Sequence, residues 1–116
     1  MLTIVGISDI VNYILSMLKV YKTEVFARWF KKLKDRNAKA RIQARIDRLQ
    51  LGYLGDVEPV GGGVSELRIF YGPGYRVYFA RRSSVLVILL SGGDKSSQAR
   101  DIKKALELAR KLEISS

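Results

Sequence analysis

The sequence predicts a small α+β domain: an antiparallel sheet with an N-terminal helical hairpin and a C-terminal helix. Apolar residues recur at helical spacing over residues 25–49 and 102–112, whereas strand-like runs occupy residues 64–91. The links between those runs, Gly-Pro-Gly and Arg-Ser-Ser, are so short that neighbouring strands must be antiparallel. A length of 116 residues, 47% of them hydrophobic, suits one globular domain.

The N-terminal half is predicted to form a short strand at 18–21 and then two helices. Thr23 is the expected N-cap of the first helix, whose apolar residues should face the sheet: Val25, Phe26, Trp29, Phe30 and Leu33. After a turn at 35–37, the second helix should stop near Gly52. Its apolar face consists of Ala38, Ile42, Ile46 and Leu49. The glycine-rich composition of residues 52–63 predicts a loop.

The C-terminal half is predicted to hold three strands, at 64–71, 75–81 and 85–91. The last strand contains the run VLVILL, which indicates a central strand covered on both faces. The loop SGGDKSS should lead into a final helix capped by Ser96 or Ser97. The apolar face of this helix consists of Ile102, Leu106, Ala109 and Leu112.

The chain is strongly basic, with a net charge of +10 and a pI of about 10.1. Residues 22–50 hold ten Lys or Arg and three acidic residues, a net charge of +7. Such an uneven excess favours a polyanionic partner, although a charge-rich helix face is also common as a merely solvated surface. The sequence has no cysteine and no histidine, so we expect no metal and no cofactor.

Residues 1–16 differ from the rest because they are apolar and carry one charge, Asp9. They lack the basic start of a secretory signal, and a membrane span would bury Asp9 and Asn12. We expect no membrane association and a cytoplasmic protein. Two alternatives remain for this segment: an extension upstream of a working start at Met17, or an amphipathic helix that packs on the domain or a partner. The domain itself is expected to span residues 17–113.

Alternation along the predicted hairpin places Arg68 and Arg76 on one face, together with Glu66 and Tyr78. The opposite face should pack beneath the helices through Leu67, Ile69, Val77 and Phe79. If the arginine face is open, it suits contacts to phosphates and bases. A solvated outer face with a cross-strand Glu–Arg pair would show the same spacing. The residues alone leave both interpretations open.

The GGDK loop at residues 92–95 allows two similar interpretations. Two glycines let backbone N–H groups approach an anion, which Lys95 could neutralise. The pattern is not that of a P-loop, and a plain strand-to-helix turn is the favoured interpretation.

The stretches VYKTEVFARWFKKLKDRNAKARIQARIDRLQLGYLGDVEPVGGGVSELRIFYGPGYRVYF and LLSGGDKSSQARDIKKALELA resemble the addiction module killer proteins, HigB-like toxins of the RelE/ParE superfamily. The resemblance covers residues 17–113. It implies a curved antiparallel sheet with two N-terminal helices and a C-terminal one. It also implies a cognate antitoxin, a helix-turn-helix protein encoded next to the toxin.

The resemblance implies two activities, which fold alone does not separate. The RelE and HigB branches cleave mRNA on the ribosome without a metal, through attack of the neighbouring 2′-hydroxyl on the scissile phosphate. The ParE branch inhibits DNA gyrase. We expect an mRNA endonuclease that arrests translation, with a gyrase-inhibiting toxin or a degenerate binding module as alternatives.

The resemblance also suggests site residues. Arg76 matches the position of a catalytic arginine, Arg68 lies near a catalytic lysine, and Lys95 lies near a basic loop residue. Tyr75 and Tyr78 could stack on a base. The density of positive charge on the helical hairpin adds further RNA-binding candidates: Lys39, Arg41, Arg45 and Arg48. The RNA-cutting relatives carry a second lysine where this chain has Glu66, and a tyrosine or histidine that this chain lacks near the last helix. Glu66 is therefore the first candidate for proton transfer, and Asp94 the second.

Overall fold

The computed structural model describes residues 17–115. Its elements, in chain order, are β1 (Lys19–Lys22), α1 (Glu24–Lys32), α2 (Arg36–Gln50), β2 (Val57–Gly61), β3 (Val64–Ile69), β4 (Tyr75–Ser83), β5 (Leu86–Gly93), a 3₁₀ turn (Lys95–Ser97) and α3 (Gln98–Ser115). The strands form one sheet in the order β1-β5-β4-β3-β2. The predicted α+β class, with its N-terminal helical hairpin and C-terminal helix, is confirmed. Since β1 runs parallel to β5 and the other pairs are antiparallel, the sheet is mixed.

The prediction of a loop over 52–63 is wrong for β2. This strand pairs antiparallel with β3, and the register shifts between Pro59 and Gly61. Proline and glycine weaken the local signal for a strand, but an edge strand tolerates both because one of its sides pairs with nothing. Pairing with β3, and not local propensity, therefore gives this segment its strand conformation.

The predicted N-cap Thr23 and the predicted stop near Gly52 are confirmed. The Thr23 hydroxyl accepts from the Phe26 N–H at 3.1 Å and donates to the Leu90 carbonyl at 2.6 Å, which ties α1 to β5. Asp35 caps α2 by accepting from the backbone N–H groups of Asn37 and Ala38. The chain leaves α2 through Gly52, whose φ of +91° favours glycine.

Each face of the sheet carries its own apolar core. The predicted inner residues of β3 and β4, Leu67, Ile69, Val77 and Phe79, pack with the buried faces of α1 and α2, as expected. On the other face, α3 covers Val64, Tyr78, Ala80 and Leu90 through Ala105 and Ala109. The prediction for β5 is also confirmed, because Val87 and Leu89 belong to the first core and Leu90 to the second.

The coverage by α3 corrects one expectation. The face that carries Glu66 and Tyr78 is not open, since their exposed fractions are 1% and 0%. The predicted apolar stripe of α3 needs an apolar surface to pack on, and this face of the sheet supplies it.

Within residues 17–115, no helix combines the length and apolar character that a membrane span requires. The expectations for residues 1–16 lie outside the described part of the chain.

Candidate nucleic-acid interface

Arg76 and Arg68 meet across the β3–β4 hairpin, where they are directly opposed in the antiparallel register. The turn between the strands is compact: the Gly74 N–H donates to the Tyr71 carbonyl at 3.1 Å, and Gly74 has a φ of +80°. A cleft of about 180 Å³ opens beside the two arginines. We call it the arginine-pair cleft; it is lined by Arg68, Ile69, Phe70, Gly74, Tyr75, Arg76 and Lys95.

Buried Glu66 is the centre of a polar network behind this cleft. Its Oε1 accepts from the Tyr78 hydroxyl at 3.0 Å and from Gln98 Nε2 of α3 at 2.9 Å. Arg76 Nε lies 3.0 Å from the same oxygen, and Arg68 Nε lies 3.3 Å from Oε2. A buried carboxylate is tolerated only when it is paired and hydrogen-bonded, and these contacts satisfy that condition.

The two arginines are held differently. Arg76 forms an ion pair with Glu66, although its Nε–H is not directed at the oxygen, and its Nη1 donates to the Gly74 carbonyl at 3.2 Å. Arg68 contacts two carboxylates, because its Nη2 also lies 2.8 Å from Glu58 Oε2 on β2. A phosphate would therefore compete with Glu58 for Arg68, whereas Arg76 has a single carboxylate partner among the described residues.

The two tyrosines expected to stack on bases lie in different surroundings. Tyr78 is buried, and its burial and its hydrogen bond to Glu66 raise the pKa of its hydroxyl above the ordinary value. Its ring cannot stack on a base in this conformation, so that expectation is wrong for Tyr78. Tyr75 is half-buried and lines the arginine-pair cleft, with its ring edge-on to Trp29 at 6.4 Å between centroids. Burial also raises the pKa of Tyr75.

The two glycines of the GGDK motif lie in β5, where packing explains both. A Cβ on Gly92 would lie 2.3 Å from the Trp29 ring, and one on Gly93 would lie 1.8 Å from Asp101 Oδ2. Neither glycine has a positive φ. This favours a tightly packed strand end and not a phosphate-binding loop.

Asp94 and Lys95 follow these glycines. Asp94 caps the 3₁₀ turn, and a hydrogen bond from the Ser96 hydroxyl lowers the pKa of its carboxyl. Lys95 is exposed, and its backbone N–H donates to the Pro73 carbonyl at 3.4 Å, which brings its side chain to the rim of the arginine-pair cleft.

The four basic candidates on α2 have unequal roles. Arg45 donates to the Arg68 carbonyl and to the carbonyls of Leu54 and Asp56, at 3.1 and 3.3 Å, so it joins α2 to the sheet. Burial lowers the pKa of Arg45 from its ordinary value, but a guanidinium remains charged at neutral pH.

Of the other three basic residues, Arg41 and Arg48 are exposed and Lys39 is half-buried. Lys39 donates to the Lys31 carbonyl at 3.1 Å, and Arg41 lies over the Tyr71 ring at 4.7 Å. Arg48 is exposed. A second cleft, of about 260 Å³, runs along this helix. We call it the α2 cleft; it is lined by Arg41, Ala44, Arg45, Arg48, Ile69 and Phe70.

Phe70 is a residue that the sequence interpretation did not single out. It directly follows β3, is 83% exposed and lines both clefts. Its signal in the sequence was an aromatic residue on the same predicted face as Arg68. That signal is weak, since single exposed apolar residues are common on protein surfaces. Among residues 17–115, no cluster of three or more acidic residues could hold a metal ion.

Fold and site together describe a small basic α+β protein with a guanidinium pair beside a surface cleft. A family model for phage-derived Gp49-like proteins (DUF891) matches residues 28–112, most of the chain. The chain belongs to this family, which is associated with toxins of toxin–antitoxin modules. A relative from Haemophilus influenzae is 53% identical over 95 residues, which make up 82% of this chain and 96% of the relative. That relative is described only as an uncharacterized protein.

Proposed function

We propose that this member of a toxin family is a metal-independent, ribosome-dependent mRNA endonuclease, similar to the HigB-like branch of the RelE/ParE superfamily. Its toxin domain spans residues 17–113. The observation that carries the proposal is Arg76, which is held by a rigid turn and a buried carboxylate at the edge of the arginine-pair cleft. Such a toxin acts in the cytoplasm, where its mRNA substrate and the ribosome are found.

In this mechanism the protein stabilises charge on the scissile phosphate while the neighbouring 2′-hydroxyl attacks it. The 2′-O–P bond forms as the P–O5′ bond breaks, the hydroxyl proton passes to solvent, and the leaving 5′-oxygen takes a proton from solvent. The Arg76 guanidinium can donate to two phosphate oxygens at once, and Lys95 adds a positive charge at the rim of the cleft. Arg68 joins them once its contact with Glu58 is exchanged for the phosphate. A prepositioned donor such as Arg76 lowers the barrier because it needs no rearrangement as charge develops.

Glu66 has a positioning role in this proposal. Both of its oxygens are engaged by neighbouring side chains, and only 1% of its surface is exposed. A proton acceptor needs a free oxygen within reach of the 2′-hydroxyl, which Glu66 does not present. It instead holds both guanidinium groups at the base of the cleft.

The basic surface suits the other expected partners. The net charge of +7 over residues 22–50 attracts the phosphates of mRNA and of the ribosome. The same charge is suited to an acidic antitoxin, expected to be a helix-turn-helix protein encoded next to the toxin. Within α2, Arg41 and Arg48 are the better RNA contacts, because Arg45 already donates to three backbone carbonyls.

A second candidate is a toxin that does not cleave RNA, either a gyrase inhibitor of the ParE type or a non-catalytic binding module. One observation favours it: the carboxylates next to the cleft are poor bases. Glu66 is fully engaged, and the Ser96 hydroxyl keeps the pKa of Asp94 below its usual range. A toxin that only binds its target requires no base.

The test is induction of Arg76→Lys and Arg76→Ala in cells, followed by mapping of mRNA ends and of plasmid supercoiling. We expect Arg76→Ala to slow mRNA cleavage about 10²–10³-fold, as does loss of a donor that stabilises developing charge. Arg76→Lys should also lose much of the activity, because an ammonium group does not hold two oxygens in a fixed plane. It is the cleaner variant, since it leaves a cation beside Glu66.

The matched control is Arg81→Ala. Arg81 lies at the far end of β4, is exposed, and donates to the carbonyls of Ser83 and Ser84. The Arg81→Ala substitution removes a positive charge from the same strand as Arg76→Ala and should leave cleavage unchanged. Circular dichroism of each variant verifies folding. If folded Arg76→Lys cleaves mRNA as well as the wild type, Arg76 does not carry the activity. If the wild type leaves mRNA intact, the nuclease assignment fails. Altered supercoiling with intact mRNA would support the second candidate.

A further inference from the structure

Phe70 is the most exposed of the large hydrophobic residues in the described part of the chain, at 83%. It carries no polar atom that would benefit from water, and its position directly after β3 keeps the ring at the surface. The neighbouring Ile69 is 4% exposed and belongs to the core beneath α1 and α2. The backbone at the base of the Phe70 side chain is therefore anchored beside both clefts.

Positive charge lies on both sides of this ring. The α2 cleft, with Arg41 and Arg48, meets it on one side, and the arginine-pair cleft, with Arg76 and Lys95, meets it on the other. No acidic side chain lines either cleft among the described residues. A ligand that fits this surface combines spaced negative charges with a flat apolar group between them.

We propose that Phe70 is a stacking platform for one unpaired base of a single-stranded RNA, whose backbone passes from the α2 cleft to the arginine-pair cleft. The inference rests on the proposed function, because it treats the arginine-pair cleft as the place where the scissile phosphate binds. It adds a residue that binds RNA and a path for the RNA strand across the surface of the protein.

Single-stranded RNA fits this arrangement better than a duplex or a protein segment. Bases in a duplex already stack on their neighbours, whereas an unpaired base offers a free face to the ring. An apolar protein segment would leave the cations of both clefts without partners, since every charged side chain that lines these clefts with Phe70 is cationic. Arginine and lysine contact the phosphates, and the ring accepts any base because every base has a flat face.

The experiment measures fluorescence anisotropy of labelled eight-nucleotide probes with the full chain. One probe is 2′-O-methyl oligoadenylate, which the 2′-hydroxyl reaction cannot cleave, and the other is an abasic backbone of equal length. We expect Phe70→Ala to weaken binding of the adenylate probe about 5–150-fold, the usual range for loss of one stacked base. Binding of the abasic probe should scarcely change, since its phosphates meet the same cations.

Two variants make the test specific. Phe70→Tyr keeps the ring and should retain affinity, while Phe70→Leu keeps an apolar side chain without the aromatic face and should not. Arg48→Ala should weaken both probes alike and reduce the slope of log affinity against log salt by about 0.7, as expected when one phosphate contact is lost. Because Phe70 is exposed, none of its variants should affect folding, which circular dichroism can verify.

Two results would overturn the stacking role: adenylate binding that does not depend on Phe70, or a wild-type chain that binds neither probe. Loss of antitoxin binding by Phe70→Ala, with RNA binding intact, would instead identify a protein contact. The proposed function is judged separately by mRNA ends in cells. If RNA binding depends on Phe70 but no mRNA is cleaved in cells, the stacking role is supported and the nuclease assignment is wrong.

Discussion

The two faces of the sheet are covered by helices that pack in different ways. Beneath α1 and α2, large apolar side chains such as Phe26, Leu67 and Phe79 form the core. Beneath α3, the fully buried residues of the helix are the small Ala105 and Ala109, and Ile102, Leu106 and Leu112 pack around them partly buried. The sheet also buries Glu66 on the α3 side, where Gln98 of the helix donates to it.

This difference separates stability from positioning. Apolar contacts are non-directional, so the core beneath α1 and α2 contributes free energy and anchors the backbone, as at Ile69, without directing any charged side chain. The network around Glu66 is directional, and it determines where Arg68 and Arg76 can lie. Substitutions on the first face should therefore change stability alone, while substitutions around Glu66 should change stability and activity together.

The largest expected effect on stability is that of Leu67→Ala, on the apolar face. Leu67 is fully buried, so the substitution should lower the free energy of unfolding by about 2–5 kcal/mol. The fraction of protein that remains folded should retain full toxicity. Urea denaturation measures the change, with Leu54→Ala as the control: Leu54 is 45% exposed, and the same substitution there should cost no more than about 0.5 kcal/mol.

Glu66→Gln, one residue earlier on the opposite face, should lower the free energy of unfolding by about 1–3 kcal/mol. The amide keeps the shape of the side chain but removes the negative charge that both arginines contact. It also places an N–H₂ group where a carboxylate oxygen accepts hydrogen bonds from neighbouring side chains. mRNA cleavage by the folded variant should fall as well, because Arg76 loses its carboxylate partner.

Glu58→Gln is the matched control for that variant. Glu58 pairs with Arg68 at 2.8 Å, but it is more than half exposed, so its loss should cost at most about 1 kcal/mol. Full activity of folded Glu66→Gln would contradict a positioning role for the buried carboxylate.

Tyr78→Phe tests the same network with a smaller change. The variant removes only the hydroxyl that donates to Glu66 at 3.0 Å, at a cost of about 0.5–1.5 kcal/mol. Gln98 and both arginines still contact the carboxylate, so activity should change little. Tyr53→Phe, at a residue that is 67% exposed, should leave stability unchanged. A Tyr78→Phe variant that loses cleavage entirely would mean that the hydroxyl does more than support Glu66.

The smallest effect is a dependence on pH, and it should arise on both sides of the sheet. The Ala38 N–H lowers the pKa of Asp35 at the start of α2, and the Ser96 hydroxyl lowers the pKa of Asp94 before α3. A lowered pKa in the folded state means that the carboxylate stabilises the protein above its unfolded pKa, near 4, and that this contribution is lost as pH falls through the folded value.

The measurement is the free energy of unfolding between pH 6 and pH 2 for the wild type, Asp35→Asn and Asp94→Asn. Asparagine is also a good cap but does not titrate, so each variant should show a shallower loss of stability in acid than the wild type. Identical pH profiles for all three proteins would mean that these caps do not contribute to acid sensitivity.

Local patterns in the sequence predicted much of the fold. Thr23 marked the start of α1 and Gly52 the exit from α2, because caps depend on a few adjacent residues. Strand alternation also placed Arg68 and Arg76 on one face of the hairpin, and the structure shows that they are directly opposed. The sequence pattern did not predict β2, because Pro59 and the surrounding glycines give no strand signal. This strand forms because it pairs with β3.

Periodicity along the chain was enough to predict the helical hairpin, the strand β5 that is buried on both faces, and the face shared by Arg68 and Arg76. It could not determine which of these cations is accessible. That depends on Glu58 from β2 and the turn at Gly74, which contact the arginines, and on Gln98 from α3, which donates to Glu66 between them. These groups come together only in the folded chain. The physical reason is that secondary structure follows from neighbours in sequence, whereas charge compensation and burial follow from neighbours in space.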